Sequence, residues 1–168
     1  MKKKLRRKQL VVEPIQRVVK LMVMQSTMIQ DEIALEKLQK FLQANKLPHT
    51  DIKINGNLFI GYHDEQGNLI GSGGLELYGD AALLRSIAVD ESLRGKSLGK
   101  KIVEDLVAKA KNLKVKSIYL LTETAQDFFL TRGFQDVSRN QVPEAVRNST
   151  EFLQVCPSSA DCMIFKLQ

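Results

Sequence analysis

The sequence predicts an α/β fold: a central mixed β-sheet with helices on both faces. Three observations carry that expectation. Short apolar runs of period two alternate with longer runs of period 3.6. A meander of three strands comes first, and strands alternating with helices follow it. The breaks between the runs are rich in Gly, Asn and Asp, the residues that turn a chain.

Residues 1–16 have no clear period and read as a basic tail, expected to be flexible; residues 17–168 read as one domain. Residues 17–24 are rich in Val and Met and read as a first strand. Ser26 and Thr27 offer caps for a helix with Asp31 and Glu32 in its first turn, where the helix dipole favours acids. Its apolar positions are Leu35, Leu38, Phe41 and Leu42, and Asn45 and Pro48 end it. A turn at 55–57, a strand at 58–62, a polar loop closing on Gly67 and a return strand at 69–78 make a hairpin. Gly79-Asp80 turns the chain again into a third strand at 83–89.

Residues 94–99 form a glycine-containing loop. The helix after it sets Leu98, Ile102, Val103, Leu106, Val107, Ala110 and Leu113 on one face. Residues 116–121 read as a strand parallel to the one before that helix, by the crossover rule. Residues 125–132 read as a short helix closed by Gly133, and 134–137 begin another strand. Pro143 suits the first turn of a helix reaching about Leu153, and 161–167 form the last strand.

The formal charge of +6 is local. Lys2, Lys3, Lys4, Arg6, Arg7 and Lys8 precede any acid, and without them 19 basic residues face 19 acidic ones. The tail has no interleaved aromatics and no basic face follows it, so nucleic acid is not the expected partner. No run approaches the ~20 apolar residues that span a bilayer, and no secretory leader pattern is seen. No membrane association and a cytoplasmic location are therefore expected. Cys156 and Cys162 lie far in sequence from His49 and His63, so no metal is expected and both cysteines read as ordinary thiols.

The run Arg94-Gly95-Lys96-Ser97-Leu98-Gly99 joins a strand to a helix. The first amides of a helix have no internal partner and the dipole adds positive charge there, so such an end binds phosphate. Gly95-Lys96-Ser97 has the look of a Walker A ending, but that motif needs Gly five residues before Gly95, where Asp90 stands.

The loop resembles instead the Arg/Gln-x-x-Gly-x-Gly/Ala signature of the GNAT acetyltransferase family. Arg94, Ser97 and Gly99 take its three fixed positions, with Ser97 replacing the middle glycine. Residues 125–134 resemble the family's Ala-x-x-Phe-Tyr-x-x-x-Gly-Phe segment, with Phe129 where the family has Tyr. The resemblance implies a GNAT fold and acetyl-CoA as cosubstrate. It places the pyrophosphate at Arg94, Gly95, Lys96, Ser97, Leu98, Gly99 and Lys100. It runs pantetheine along Ile87, Ala88 and Val89, beside Phe128 and Phe129, in a slot where the strand at 83–89 parts from the strand at 116–121. It also makes a homodimer a common state. Phe128 and Phe129 fit a purely apolar core equally well.

Residues 78–86, with segments 142–147, Glu151-Phe152 and 156–163, resemble more closely the arsinothricin N-acetyltransferase group of that family. That resemblance implies a small amino-acid-like acceptor, arsinothricin or its analogue phosphinothricin. Another small amine, a protein amine, or a CoA-binding protein without turnover remain as alternatives.

An amine is protonated at neutral pH, so a base or a water chain must take its proton. Glu76 is the candidate base and Tyr78 shares its face; the same alternation fits a Glu76 that merely faces solvent. Arg85 stands in an apolar strand, where a guanidinium needs a partner. An anionic substrate would supply one, with Ser86 beside it and Arg147 as a second anion contact; so would a salt bridge to Asp80 or Glu76. Phe129 cannot protonate a leaving thiolate, which leaves water, Tyr78 or Tyr119.

Overall fold

A computed structural model describes residues 24–168; the tail over 1–16 and, apart from Met24, the strand expected over 17–24 lie outside the described residues. Among the described residues seven strands form one sheet in the order β1-β2-β3-β4-β5-β7-β6. These are β1 (Gln25–Met28), β2 (Leu58–His63), β3 (Leu69–Tyr78), β4 (Ala81–Val89), β5 (Ser117–Thr122), β6 (Gln135–Asp136) and β7 (Asp161–Lys166). The β4–β5 pair is parallel and every other neighbouring pair antiparallel. The helices are α1 (Glu32–Ala44), α2 (Leu98–Asn112), α3 (Gln126–Leu130) and α4 (Glu144–Arg147).

Each face of the sheet carries its own core. On one face Leu75, Ala82 and Leu84 meet Ile102, Val103 and Leu106 of α2, all buried. On the other, Phe59 and Ala88 meet Leu38 and Leu42 of α1, while Leu83 and Tyr119 meet Val142, Val146 and Phe152. Burial of side chains of this size contributes about 1.5–3 kcal/mol each. Consecutive glycines in β3 let both layers approach. A Cβ on Gly73 would lie 2.6 Å from Leu106 of α2, and one on Gly74 would strike the Phe59 ring. Tyr62 ties α2 to the sheet, donating to Asp105 at 2.8 Å, and Lys101 holds the same carboxylate at 2.9 Å.

Two elements differ from the sequence reading. Ser26 and Thr27 lie in β1, and the cap of α1 is Asp31, whose Oδ1 accepts from the Ala34 amide at 2.8 Å. An Asp at the cap, three residues before the amide it accepts from, is the better acceptor, because an ionised cap also meets the dipole. The helix expected from Pro143 to Leu153 breaks after one turn. Arg147 ends α4, and a π-helical turn (Glu151–Val155) follows, with Glu151 and Phe152 pointing inward. Its wider winding turns Glu151 into the protein, where a hydrophobic period alone shows nothing.

The feature that positions the site is where two strands part. β4 and β5 pair only at Ala81↔Ser117, Ala82↔Ile118 and Leu83↔Tyr119. Beyond that point β4 stays with β3 as far as Val89↔Gly71, and β5 stays with β7 as far as Thr122↔Asp161. The sheet is open along its middle between 84–89 and 120–122.

Candidate active site

The opening begins beside a bulge in β4. The register steps from Gly74↔Arg85 to Ser72↔Ala88, so Ser86 and Ile87 together oppose Gly73. Ser86 takes a left-handed φ of 59°, and Ser72 Oγ donates to its carbonyl at 2.9 Å. The bulge interrupts the alternation along β4. It leaves Ser86 Oγ shielded from solvent without a hydrogen-bond partner among the described residues. A buried hydroxyl in that condition, at the rim of an opening, fits a site that a ligand completes.

At the far end of β4 the chain makes a 3₁₀ turn (Glu91–Leu93) and enters the exposed loop 94–97. Gly95 and Ser97 are both left-handed, with φ of 75° and 67°. Ser97 stands at the cap of α2, yet its side chain makes no capping hydrogen bond, unlike Asp31 on α1. The amides of the cap and first turn therefore have neither a side-chain cap from Ser97 nor an i−4 carbonyl to take them. Arg94 braces this loop: Nε donates to the Val89 carbonyl at 3.2 Å and Nη2 to Asn45 Oδ1 at 2.9 Å.

Val89, Gly99 and Phe128 meet here. A Cβ on Gly99 would lie 3.4 Å from the Phe128 ring and 3.7 Å from Val89. Arg132 stacks on that ring at 3.7 Å. Phe129 turns inward instead, 7% exposed, edge-on to Phe134 at 5.5 Å. Of the residues expected around a pantetheine arm, Val89 and Phe128 meet here and Ile87 packs on the same core, whereas Ala88 is buried under α1 with Leu38 and Leu42, and Phe129 lies in the core. An uncapped helix end, a glycine-lined approach and an unpartnered Ser86 fit a pyrophosphate with a thin arm running into the sheet.

On the face that carries α1 and α4, Glu76, Tyr78 and Arg85 come together. Arg85 Nη1 donates to Glu76 Oε1 at 2.6 Å, and the Tyr78 hydroxyl donates to Glu76 Oε2 at 2.8 Å. Glu76 is thus buried and partnered, which corrects the picture of a side chain merely facing solvent. Two residues that sequence reasoning missed complete the cluster. Asp51 grips the Arg85 fork from both sides, Nη1–Oδ2 at 2.7 Å and Nη2–Oδ1 at 2.8 Å. Glu151 Oε2 lies 2.9 Å from Arg85 Nε, an ion pair out of line for a hydrogen bond. Asp80, the other partner expected for Arg85, pairs with Lys116 at 3.2 Å.

Three carboxylates around one guanidinium carry excess negative charge, and the ionisations respond. Burial pushes Glu151 up to about 7, against the pull of Arg85 and with the push of Glu76 and Asp51. Burial also works to raise Asp51, but the hydrogen bonds and charge of Arg85 outweigh it and hold that carboxyl below its usual range. Burial, then the Glu76 hydrogen bond, lifts the Tyr78 hydroxyl above its ordinary value, so it is a proton donor to Glu76 at neutral pH.

Asp51, Glu76 and Tyr78 also line a partly open pocket of about 180 Å³, bordered by Lys53, Asn57 and the segment Asn148, Ser149, Thr150. Arg85 is 3% exposed and does not line the pocket; Asp51 and Glu76 stand in front of it. Arg147 is exposed at the end of α4 and lies outside the lining that its three successors provide. The signal for Glu151 was present in the Glu151-Phe152 segment; Asp51, in an irregular loop 34 residues from Arg85, left none.

Solved structures of low sequence identity share this architecture. A GNAT-family acetyltransferase from Staphylococcus aureus Mu50 superposes with a TM-score of 0.68 at 19% identity, over 86% of this chain and 99% of that one. N-acetylglutamate synthase from Neisseria gonorrhoeae, complexed with coenzyme A and L-arginine, gives 0.71 at 17% identity, over 87% of this chain and 34% of that one. Rv2747 from Mycobacterium tuberculosis, in complex with CoA and NLQ, gives 0.69 at 20% identity, over 86% and 99%. The fold is thus that of an acyl-CoA N-acyltransferase.

A sequence model of the acetyltransferase (GNAT) family matches residues 27–134, and the chain belongs to that family. An amino-acid acetyltransferase of Mycobacterium tuberculosis is 33% identical over 85 residues, 49% of this chain and 48% of that protein. The chain's match therefore spans about half the length of that curated relative. No helix among the described residues is long and apolar enough to cross a membrane.

Proposed function

We propose that the chain is a cytoplasmic N-acetyltransferase. It would transfer the acetyl group of acetyl-CoA to the amine of a small amino-acid-like acceptor. The observation that carries this reading is the uncapped end of α2 opening beside the parted strands β4 and β5. Acetyl-CoA supplies a thioester; the chain supplies a grip, an alignment and a route for a proton. The amides of 97–100, with Lys96 and Lys100 nearby, hold the pyrophosphate. The main chain of Ile87 and Val89 aligns the arm, and holding both reactants in register supplies much of the rate.

The acceptor binds in the pocket of Asp51, Glu76 and Tyr78. Both Glu76 oxygens are engaged, so the amine proton reaches Glu76 through the Tyr78 hydroxyl, which passes its own proton on as it accepts one. Arg85 holds Glu76 in place and marks where an anionic group of the acceptor would bind; Ser86 and Arg147, expected beside it, lie outside the pocket lining. With Phe129 buried, the leaving thiolate takes its proton from water or from a tyrosine. Arsinothricin and phosphinothricin are the acceptors that the sequence resemblance favours, which would make the protein a detoxifying enzyme of arsenic resistance. The amino-acid acetyltransferase relative agrees with an amino-acid-like acceptor.

The test is thiol release from acetyl-CoA with phosphinothricin, glutamate and methionine sulfoximine, alongside a thermal shift with acetyl-CoA alone. A rise in Tm with acetyl-CoA and turnover with at least one acid-bearing amine is expected. No shift with acetyl-CoA would overturn the reading.

A further inference from the structure

We propose that Asp51 occupies the place of the acceptor's own acid group on Arg85, and that binding exchanges one anion for the other. The inference rests on the pocket being the acceptor site and names the class that it takes: an amine carrying a carboxylate, phosphinate or arsinate. Three observations support it. The Asp51 carboxylate meets both Nη atoms of Arg85 at 2.7 and 2.8 Å, the two-pronged geometry an acid group of a substrate would use. Asp51 lines the pocket and Arg85 does not, so this carboxylate is part of the wall between the guanidinium and the cavity. Asp51 also sits between α1 and β2, outside helix and strand, where movement breaks no ladder.

The exchange is cheap in charge. Stripping a buried guanidinium of its partners is costly. Here Glu76 and Glu151 stay at 2.6 and 2.9 Å when Asp51 leaves, and the incoming anion restores the charge that Asp51 takes away. An amine without an acid group gains nothing from displacing Asp51, so the residue works as a selectivity filter. Glu76 and Tyr78 remain lining the pocket to meet the amine end.

The experiment compares Asp51→Asn with the unmodified chain on phosphinothricin and on n-butylamine, which has no acid group. Loss of the competing carboxylate lowers the KM and the calorimetric Kd for phosphinothricin about tenfold relative to those for n-butylamine. A rise in either constant for phosphinothricin, or equal movement for both amines, overturns the proposal. Backbone ¹H–¹⁵N spectra of the unmodified chain decide it without a variant. Amides of residues 49–55 move further with saturating phosphinothricin than with n-butylamine; unmoved amides, equal movement with both amines, or no binding of phosphinothricin, overturns it. Failure of acetyl transfer with every amine would sink the transferase reading instead, while affinity and these spectra still decide the role of Asp51.

Discussion

Arg85 and Glu76 face each other across two neighbouring strands, Nη1 to Oε1 at 2.6 Å, with both side chains buried. Gly74↔Arg85 and Glu76↔Leu83 belong to the same antiparallel ladder, so the two charges share a face of the sheet two rows apart. A buried pair of this kind is a weak source of stability, because desolvation offsets much of the attraction. Its effect is to fix the carboxylate that Tyr78 donates to.

Removing the proposed base should therefore cost rate and not cosubstrate binding. Glu76→Gln is expected to lower kcat by about 10²-fold or more while the Kd for CoA stays the same. Tyr78→Phe is expected to lose less, because water can replace a hydroxyl in a relay. Equal loss of CoA affinity in the first variant would place Glu76 in the fold and not in the reaction.

The two left-handed residues of the loop differ in what they tolerate. Gly95→Val puts a β-branched residue at φ 75°. It is expected to cost about 1–2 kcal/mol and to raise the KM for acetyl-CoA. Ser97→Gly relieves similar strain at φ 67° against a smaller gain in unfolded-chain freedom. Its Tm should hold or rise, with CoA affinity kept. Calorimetry decides both; a clear fall in Tm for Ser97→Gly would show that the hydroxyl carries a hidden role.

Glu151 gives the protein a signature in pH. Burial lifts its pKa from an ordinary value near 4.5 to about 7. The folded state thus holds this proton more tightly than the unfolded one. The resulting stability is fully present below about pH 4.5 and is lost as pH rises through 7. Glu151→Gln removes that slope, so its Tm relative to the unmodified chain should become more favourable between pH 5 and pH 8. A difference that stays flat with pH would show that the carboxyl titrates normally.

Gly74 is where the layer beneath the site is tightest. Gly74→Ala would drive a methyl into Phe59, which is fully buried. It is expected to destabilise by about 1–3 kcal/mol in urea unfolding. An unchanged midpoint would mean that α1 shifts freely over the sheet.

The regular framework was legible in the sequence because periodicity and turn residues report it directly. The strand over 69–78 coincides with β3, and the apolar face of the Leu98 helix packs on the sheet except for Leu113, which caps the helix end and is exposed. The glycine-containing loop before α2 was legible too, since its residues are contiguous. What stayed hidden depends on chain winding or distance. The π-helical turn that aims Glu151 inward looks like ordinary helix in composition. The bulge at Ser86 shows only in the register against β3. Asp51 meets Arg85 from 34 residues away, in a segment with no period at all.

The central claim is that the free amides opening α2 hold the pyrophosphate, and backbone ¹H–¹⁵N spectra during titration with CoA test it most directly. The amides of Ser97, Leu98, Gly99 and Lys100 should move furthest, together with those of Ile87 and Val89, while the Asp31-capped start of α1 stays still. Saturation with CoA that leaves residues 97–100 unmoved would contradict it.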